Sequence, residues 1–410
     1  MSGLPEKKMN VLVVNAGSSS LKYQLFDTTT HTVLAKGLCD RIGLDGNISH
    51  KQLVNGTSYN ADIPMPNHAE ATKLVVKCLL DETYGCVKSM SEIEAVGHRI
   101  VHGGAYFSES VLLTDDVLAK LELCRDLAPL HTGAHIMGIK GCLEAMPGTP
   151  QVLVFDTAFH STMDKPAYIY GIPYEMYEKY QIRRYGAHGT SHRFVAAQCI
   201  KALGKPAEET KIVTCHLGNG SSISAVNGGK CVDTSMGFTP LAGVVMGTRC
   251  GDIDPAIVPF IMEKEGFTPD EMNTFMNKKC GFLGVSGVSS DSRDLENAIA
   301  QGHERAKLAQ DILCLQIKKY IGGYAAEMNG LDAVVFTAGI GENNPQLRED
   351  VIKDMEYLGI KIDPEANKVK RPYADINLIS APDSKVKVYM IPTNEELVIA
   401  SDTEKLVSKM

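Results

Sequence analysis

Two turns in this 410-residue chain have the composition needed to approach phosphate oxygens closely: Gly17-Ser-Ser-Ser20 and Gly218-Asn-Gly-Ser-Ser222. Glycine lets the backbone come near an anion, and backbone N–H groups and hydroxyls donate to it. Each turn alone also reads as a plain serine-rich hairpin; the duplication is what favours phosphate. Neither common phosphate device is present. The chain has no GxxxxGK[ST], and Gly339-Ile-Gly341-Glu-Asn343 lacks the third glycine of a dinucleotide fingerprint.

Two arginines carry further information. Arg99 stands in His98-Arg-Ile-Val-His-Gly-Gly104 and Arg249 in Met246-Gly-Thr-Arg-Cys-Gly-Asp252, each beside glycines that give a ligand access to the guanidinium. A planar five-donor fork suits carboxylate and phosphate alike. The competing reading is a salt bridge, with Asp252 and Asp254 as the available partners for Arg249. Asn15, Asp156, Asp291 and Glu395 are dispersed candidates for a divalent cation, which needs one or two protein ligands when phosphates supply the rest. Thr393 and Glu396 read as a capping box, which would make acidic residues there stabilising without a metal. Three histidine pairs at four-residue spacing, His98/His102, His131/His135 and His188/His192, raise zinc as an alternative. None has Glu after the first His. His98 to Gly104 is β-branched and glycine-rich and Gly186 to Ser191 is turn-like, so those two pairs are expected off helices, and hydrogen-bonding roles are expected for the rings.

These groups need a scaffold, and four apolar runs supply its outline: Val11 to Val14, Val152 to Phe155, Ile212 to Cys215 and Ala333 to Phe336, each ending at a polar or glycine turn. Such runs read as buried strands of parallel or mixed sheets, whose carboxyl ends collect ligands. Helices are expected between them, one opening at Thr114-Asp-Asp and stopped by Pro129, another opening at Asn344-Pro345 and ending at Gly359. The alternation argues for an α/β architecture. Val11 to Phe26 resembles Ile212 to Val226, both strand, Gly/Ser turn, strand, which suggests two related halves facing a common cleft, with a compact crossover near Asp156.

Composition narrows the class. Length predicts two domains or three. A net charge of −8 gives no general attraction to nucleic acid or anionic lipid. The apolar run after Lys7 and Lys8 is too short for an export signal, and no stretch reaches the roughly 18 apolar residues that cross a bilayer, so a soluble protein with no membrane partner is expected. Eleven cysteines without a CxxC pair fit a reducing cytoplasm.

Taken together, Asn15 to Lys22, His98 to Gly104, Phe155-Asp-Thr-Ala-Phe-His160, His188-Gly-Thr-Ser-His192, His216-Leu-Gly-Asn-Gly220, Asp233-Thr-Ser-Met-Gly-Phe-Thr-Pro240, Met246 to Arg249 and Gly339 to Asn343 resemble the acetate kinase family, in its order, from residue 11 to about 400. The resemblance implies two similar domains of the actin-like ATPase (ribonuclease H-like) type with an active-site cleft between them: residues 1–156 plus 394–410 carrying the acyl site, and 157–393 carrying the nucleotide and the dimer contact. It implies reversible, Mg2+-dependent phosphoryl transfer between ATP and acetate, with Mn2+ as a substitute and a homodimeric protein. By the same resemblance Asn15 and Glu395 hold the metal. Lys22, His216, Leu217, Gly218, Asn219, Gly220, Asp291, Ser292, Arg293, Gly339, Ile340, Gly341, Glu342 and Asn343 bind the nucleotide. Arg99 binds the acyl carboxylate, Val101, Leu130, Ala187 and Pro240 line the acyl pocket, and Asp156, Arg249 and His188 act on the transferring group. A carboxylate acceptor is already ionised at neutral pH, so Asp156 is expected to position an arginine, the metal or a water rather than remove a proton.

Two departures stand out. Ala187 replaces the family's usual Phe, which is expected to ease acceptance of propionate or butyrate, and His131-Thr-Gly133 replaces His-Asn-Pro. The alternatives are a propionate- or butyrate-preferring kinase, a pyrophosphate-using one, a nucleotide-gated binding protein and a zinc hydrolase.

Overall fold

The computed structural model describes residues 9–129, 131–369 and 371–410. The first apolar run forms β1 (Asn10–Ala16), and the chain doubles back through Gly17 to Ser20 into β2 (Leu21–Asp27), pairing Val11 with Phe26 and Asn15 with Lys22. β3 (Thr32–Asp40), β4 (Asn47–Gln52) and β5 (Ser58–Asp62) continue this antiparallel ribbon. On the other flank of β1 lie β6 (Ala95–Ile100), the short antiparallel edge β7 (Val111–Leu112) and β8 (Gln151–Phe155), with β1, β6 and β8 mutually parallel. The order is β5-β4-β3-β2-β1-β6-β8-β7. Val152 to Phe155 is buried on both faces, as a central parallel strand requires.

The later runs repeat the plan. β9 (Lys211–Leu217) and β10 (Ser221–Asn227) pair Ile212 with Val226 and His216 with Ser222. They are followed by β11 (Lys230–Thr234), β12 (Ala333–Thr337), the antiparallel edge β13 (Asn377–Leu378) and β14 (Lys387–Met390), in the order β11-β10-β9-β12-β14-β13. Without β4 and β5, the two sheets match strand for strand, including the antiparallel edge. The similarity of the hairpins therefore extends to a whole sheet.

The chain divides into two compact units, Met1–Ala158 with Asn394–Met410, and Phe159–Thr393. In the first, the helix Glu395–Val407 packs on β1, β6 and β8; Gly97 permits this, because a Cβ there would lie 2.4 Å from Thr403 Oγ1. In the second, the helix Glu304–Glu327 buries Leu313, Ile317 and Ile321 in the core with Val213 and Val334.

Helix boundaries follow their caps, with two corrections. Thr114 accepts from Val117 N and opens Asp115–Leu123 as expected. Asn344 accepts from Leu347 N and opens Pro345–Ile352, but that helix stops well before Gly359: Lys353 is extended and Asp354 is left-handed (φ 62°), so Gly359 closes a separate turn at Glu356–Leu358. The box at Thr393 is absent. Asn394 is the cap, accepting from Leu397 N, while the Thr393 hydroxyl lies 2.7 Å from Ser191 Oγ.

Candidate active site

In the first unit the ends of β1, β6 and β8 present Asn15, Arg99 and Asp156. Arg99 Nη2 donates to Asp156 Oδ2, and Arg99 Nε stands 3.9 Å from Glu395 Oε2. Asp156 is 1% exposed, so this ion pair is shielded from solvent on the acid's side. Burial opposes the guanidinium charge, but Asp156 and Glu395 raise its pKa overall. Arg99 Nε is buried without a hydrogen bond. Burial and the charge of Asp156 push the Glu395 carboxyl up to about 7. Two carboxylates pressed together beside the Asn15 strand end form a hard oxygen donor set, and a divalent cation would relieve their repulsion, so these residues fit the cation that the resemblance implies. Of the groups that Asp156 is expected to position, an arginine, Arg99, is paired with it in this structure.

Val101 N donates to His135 Nε2 at 3.2 Å, so the helix Thr132–Ala145 fixes the backbone just past Arg99. His135 is held neutral, its pKa lowered to about 3 by burial and by Arg99. Leu130 lies outside the described residues. Lys22 is exposed and, with Asn15, Lys36 and Lys51, lines a cavity of about 560 Å³ on the sheet.

In the second unit a cavity of about 700 Å³ is lined by Gly218, Asn219, Asp291, Ser292, Arg293, Gly339, Ile340 and Asn343, which is most of the expected nucleotide set. Its volume suits a nucleotide-sized ligand. Asp291 caps Ser292–Ala300 and binds Arg293 through both oxygens, which lowers its pKa to about 2. Sequence reasoning missed Glu296, Asn344 and Arg371 on the same wall. It also missed Arg348, fully buried, which donates to the carbonyls of Gly341 and Glu342 and ties down the short helix Ala338–Asn343. Glu342 turns away from the cavity and accepts from Ala338 N and Thr393 N. Leu217, Gly220, Gly341 and His216 are not among the lining residues.

Beside this cavity the Gly218 to Gly220 turn meets Arg249 and His188. A Cβ on Gly220 would lie 3.3 Å from His188 Nε2 and 3.5 Å from Arg249 Nη1. Arg249 Nη1 donates to Pro240 O at 2.8 Å and contacts Met246 Sδ, and burial lowers its pKa. Asp252 is not its partner, since it accepts from Gly243 N and Tyr320 OH. His188 sits at φ 57° immediately before the helix Gly189–Leu203 and stacks on His216 with centroids 4.1 Å apart. His192 therefore lies on a helix, contrary to the turn-like reading of this segment; the left-handed kink at His188 separates the glycine-rich approach from the helix. Ala187 is buried in one cluster with Met236 and Met246.

His98 Nε2 is 2.6 Å from Gln151 Oε1, and His160 Nε2 is 3.0 Å from Ala187 O. Among the described residues, no group of three or more His, Cys, Asp or Glu is arranged to hold a metal ion. The 11 cysteines are unbridged, and among the described residues no helix is long and apolar enough to cross a membrane.

Comparison with known proteins agrees along the whole chain. The model of the acetokinase family matches residues 10–401. An acetate kinase from Methanosarcina thermophila is 56% identical over 399 residues, covering 97% of each chain. The crystal structure of Porphyromonas gingivalis acetate kinase superposes with a TM-score of 0.94 at 47% identity, covering 97% of this chain and 100% of that one. A propionate kinase from Francisella tularensis subsp. tularensis SCHU S4 superposes with a TM-score of 0.89 at 40% identity, with the same coverage.

Proposed function

We propose a function from one premise: this chain belongs to the acetokinase family. It transfers a phosphoryl group between ATP and acetate, forming acetyl phosphate and ADP. The observation that carries this reading is the convergence of His188 Nε2 and Arg249 Nη1 on the turn at Gly220, beside a nucleotide-sized cavity.

The chemical obstacle is electrostatic. Acetate is an anion at neutral pH and its target is a polyanion, so no proton has to be removed but repulsion must be overcome. Arg99 takes the acetate carboxylate, and Asp156 fixes its guanidinium plane from the far side. Arg249 and His188 donate to the equatorial oxygens of the transferring group, where charge spreads in the transition state. The nucleotide lies along Gly218, Asn219, Asp291 to Arg293, Gly339, Ile340 and Asn343, and the family resemblance assigns to its phosphates the exposed Lys22 of the first unit. Asn15 and Glu395, with Asp156, would hold Mg2+, and Mn2+ would substitute. When bound, the cation neutralises phosphate charge and orients the phosphate oxygens.

Ala187 is the chain's own feature within this reading. Met236 and Met246 pack beside it, which favours acetate over propionate or butyrate as the principal substrate while leaving an adaptable wall. The second unit exposes Ile172, Tyr174, Tyr180, Ile257 and Phe260, which supports a homodimer with a solution mass of two chains. Unbridged cysteines support a cytoplasmic protein. The test is acyl phosphate formation, trapped by hydroxylamine, for acetate, propionate and butyrate with ATP or pyrophosphate as donor. ADP release that needs no carboxylic acid, or acyl phosphate formation that prefers pyrophosphate, contradicts the proposal.

A further inference from the structure

Parallel strands exchange evenly spaced hydrogen bonds, and alternate residues of a central strand bond to opposite neighbours. β6 pairs with β1 as far as His98 opposite Val14, and with β8 as far as Ile100 opposite Phe155, where Asp156 N donates to Ile100 O at 2.9 Å. The backbone groups of Ile100 therefore face β8, and those of Val101 face β1. In register, the next rung toward β1 would run from Val101 N–H to the Ala16 carbonyl. Val101 N donates instead to His135 Nε2 at 3.2 Å. The other ring nitrogen, Nδ1, stands beside the Ala16 carbonyl, close enough for that oxygen to favour a proton on the ring but without closing a full hydrogen bond. An imidazole thus occupies the gap between the two strand ends.

The hydrogens on this ring have one arrangement. A backbone N–H only donates, so Nε2 presents its lone pair to Val101. Burial and the nearby Arg99 disfavour charge on the ring, so it is neutral and its hydrogen lies on Nδ1, the side of Ala16. His135 is 3% exposed and belongs to the helix Thr132–Ala145, which runs close against the strand ends: a Cβ on Gly138, almost one turn further on, would come within 2.6 Å of Ala16 Cβ. Both neighbours of the ring lead into the candidate site. Ala16 joins Asn15 to the turn at Gly17, and Val101 lies two residues past Arg99.

We propose that His135 is a positioning residue that replaces the last rung between β1 and β6, holding the strand end that carries Asn15 and the strand end that carries Arg99 and Val101 apart by the width of its ring. This rests on the reading of Arg99 and Val101 as the acyl site. Without the ring the two ends are free to close their rung or to splay, and either movement shifts Arg99 relative to Asn15. A misplacement of about 1 Å at a reacting centre costs about a hundredfold in rate, so a spacer of fixed size and fixed tautomer serves the acyl side of the reaction.

The test uses the full chain. Nitrogen NMR of protein labelled with 15N-histidine, with the His135 signals assigned by their loss in His135→Gln, is expected to show the ring protonated on Nδ1 at neutral pH. His135→Leu removes the acceptor while keeping an apolar side chain in the gap. It is expected to lower kcat/KM for acetate by about tenfold or more, with the KM for ATP changed less than about twofold, since the nucleotide cavity is lined by the other unit. His135→Gln, whose amide oxygen can take the place of Nε2, should recover most of the loss. A general loss of stability would not separate acetate from ATP in this way, nor would glutamine repair it. A wild-type ring protonated on Nε2, a folded His135→Leu protein with unaltered kcat/KM for acetate, or a glutamine variant no better than leucine overturns the proposal. If His135→Leu does not fold, His135→Met, which adapts more easily to the same space, takes its place with the same expected outcomes. No acyl phosphate from folded wild-type protein would sink the functional reading itself, whereas the three results above overturn the role of His135 and leave that reading intact.

Discussion

Gly220→Ala separates the fold of this chain from its chemistry. The added methyl would lie 3.3 Å from His188 Nε2, 3.4 Å from His188 Cε1 and 3.5 Å from Arg249 Nη1. Gly220 is not among the positive-φ glycines, so alanine can adopt its backbone. Lower entropy of the unfolded chain stabilises such a variant by about 0.4–1 kcal/mol, and the slightly tight contact with the His188 ring offsets part of that gain. Net stability should move by less than about 1 kcal/mol. Activity should respond on a different scale. The methyl occupies the approach through which an anionic oxygen reaches both donors, and losing one such donor costs about 2.7–4 kcal/mol, or about 10²–10³ in kcat. The assay pairs a thermal melt with hydroxamate formation under saturating acetate and ATP. Gly323→Ala is the control: it lies in the helix Glu304–Glu327 where a Cβ meets nothing within 4 Å, so it should stabilise by up to about 1 kcal/mol with activity unchanged. A folded Gly220→Ala protein with near wild-type kcat would refute the placement of the phosphoryl group at this turn.

Three further outcomes follow from the geometry. Glu395 titrates near 7 in the folded chain against 4.5 when unperturbed, so the folded state holds the extra proton between those values and stability falls as pH rises through them. The effect is on the order of 3 kcal/mol, and melts in EDTA at pH 5 and pH 8 should show it in the wild type and largely lose it in Glu395→Gln; identical pH profiles would contradict the assignment. Asp156→Asn removes the buried carboxylate that Arg99 donates to and leaves only the more distant Glu395, so a loss of about 3 kcal/mol in urea melts should accompany a large fall in kcat; unchanged turnover would remove Asp156 from the site. Ala187→Phe should steepen discrimination of acetate over propionate by about 1–3 kcal/mol in kcat/KM, and an unchanged ratio would show that Ala187 does not contribute to the acyl wall.

Strands were the most legible part of the fold. Val11 to Val14 and Ile212 to Cys215 are short, strongly apolar and followed by Gly/Ser turns, a combination that only a buried strand and hairpin satisfies well. Motifs on contiguous turns were legible for the same reason: the glycine-rich turn that begins at Gly218 puts Gly218 and Asn219 on the cavity wall. Contributions that depend on distant packing were not. Arg348 reads as an ordinary surface arginine of a short helix, yet it is fully buried under Gly341 and Glu342. Nothing in the order of residues announces that Met236 and Met246 would cluster with Ala187. The cap at Asn394 was misplaced by one residue because Thr393 is equally suited locally, and its hydroxyl is claimed by Ser191, about two hundred positions earlier. The start of the helix after His188 was hidden by a left-handed residue that is not glycine.

The central claim is phosphoryl transfer between a nucleotide and a small carboxylate, and hydroxylamine trapping addresses it with the chain as it stands. Incubated with ATP, Mg2+ and acetate, the protein should produce acetohydroxamate in step with ADP, with neither product formed when acetate or the divalent cation is left out. ADP released at the same rate without acetate, or no acyl product from folded protein with ATP bound, would contradict the account.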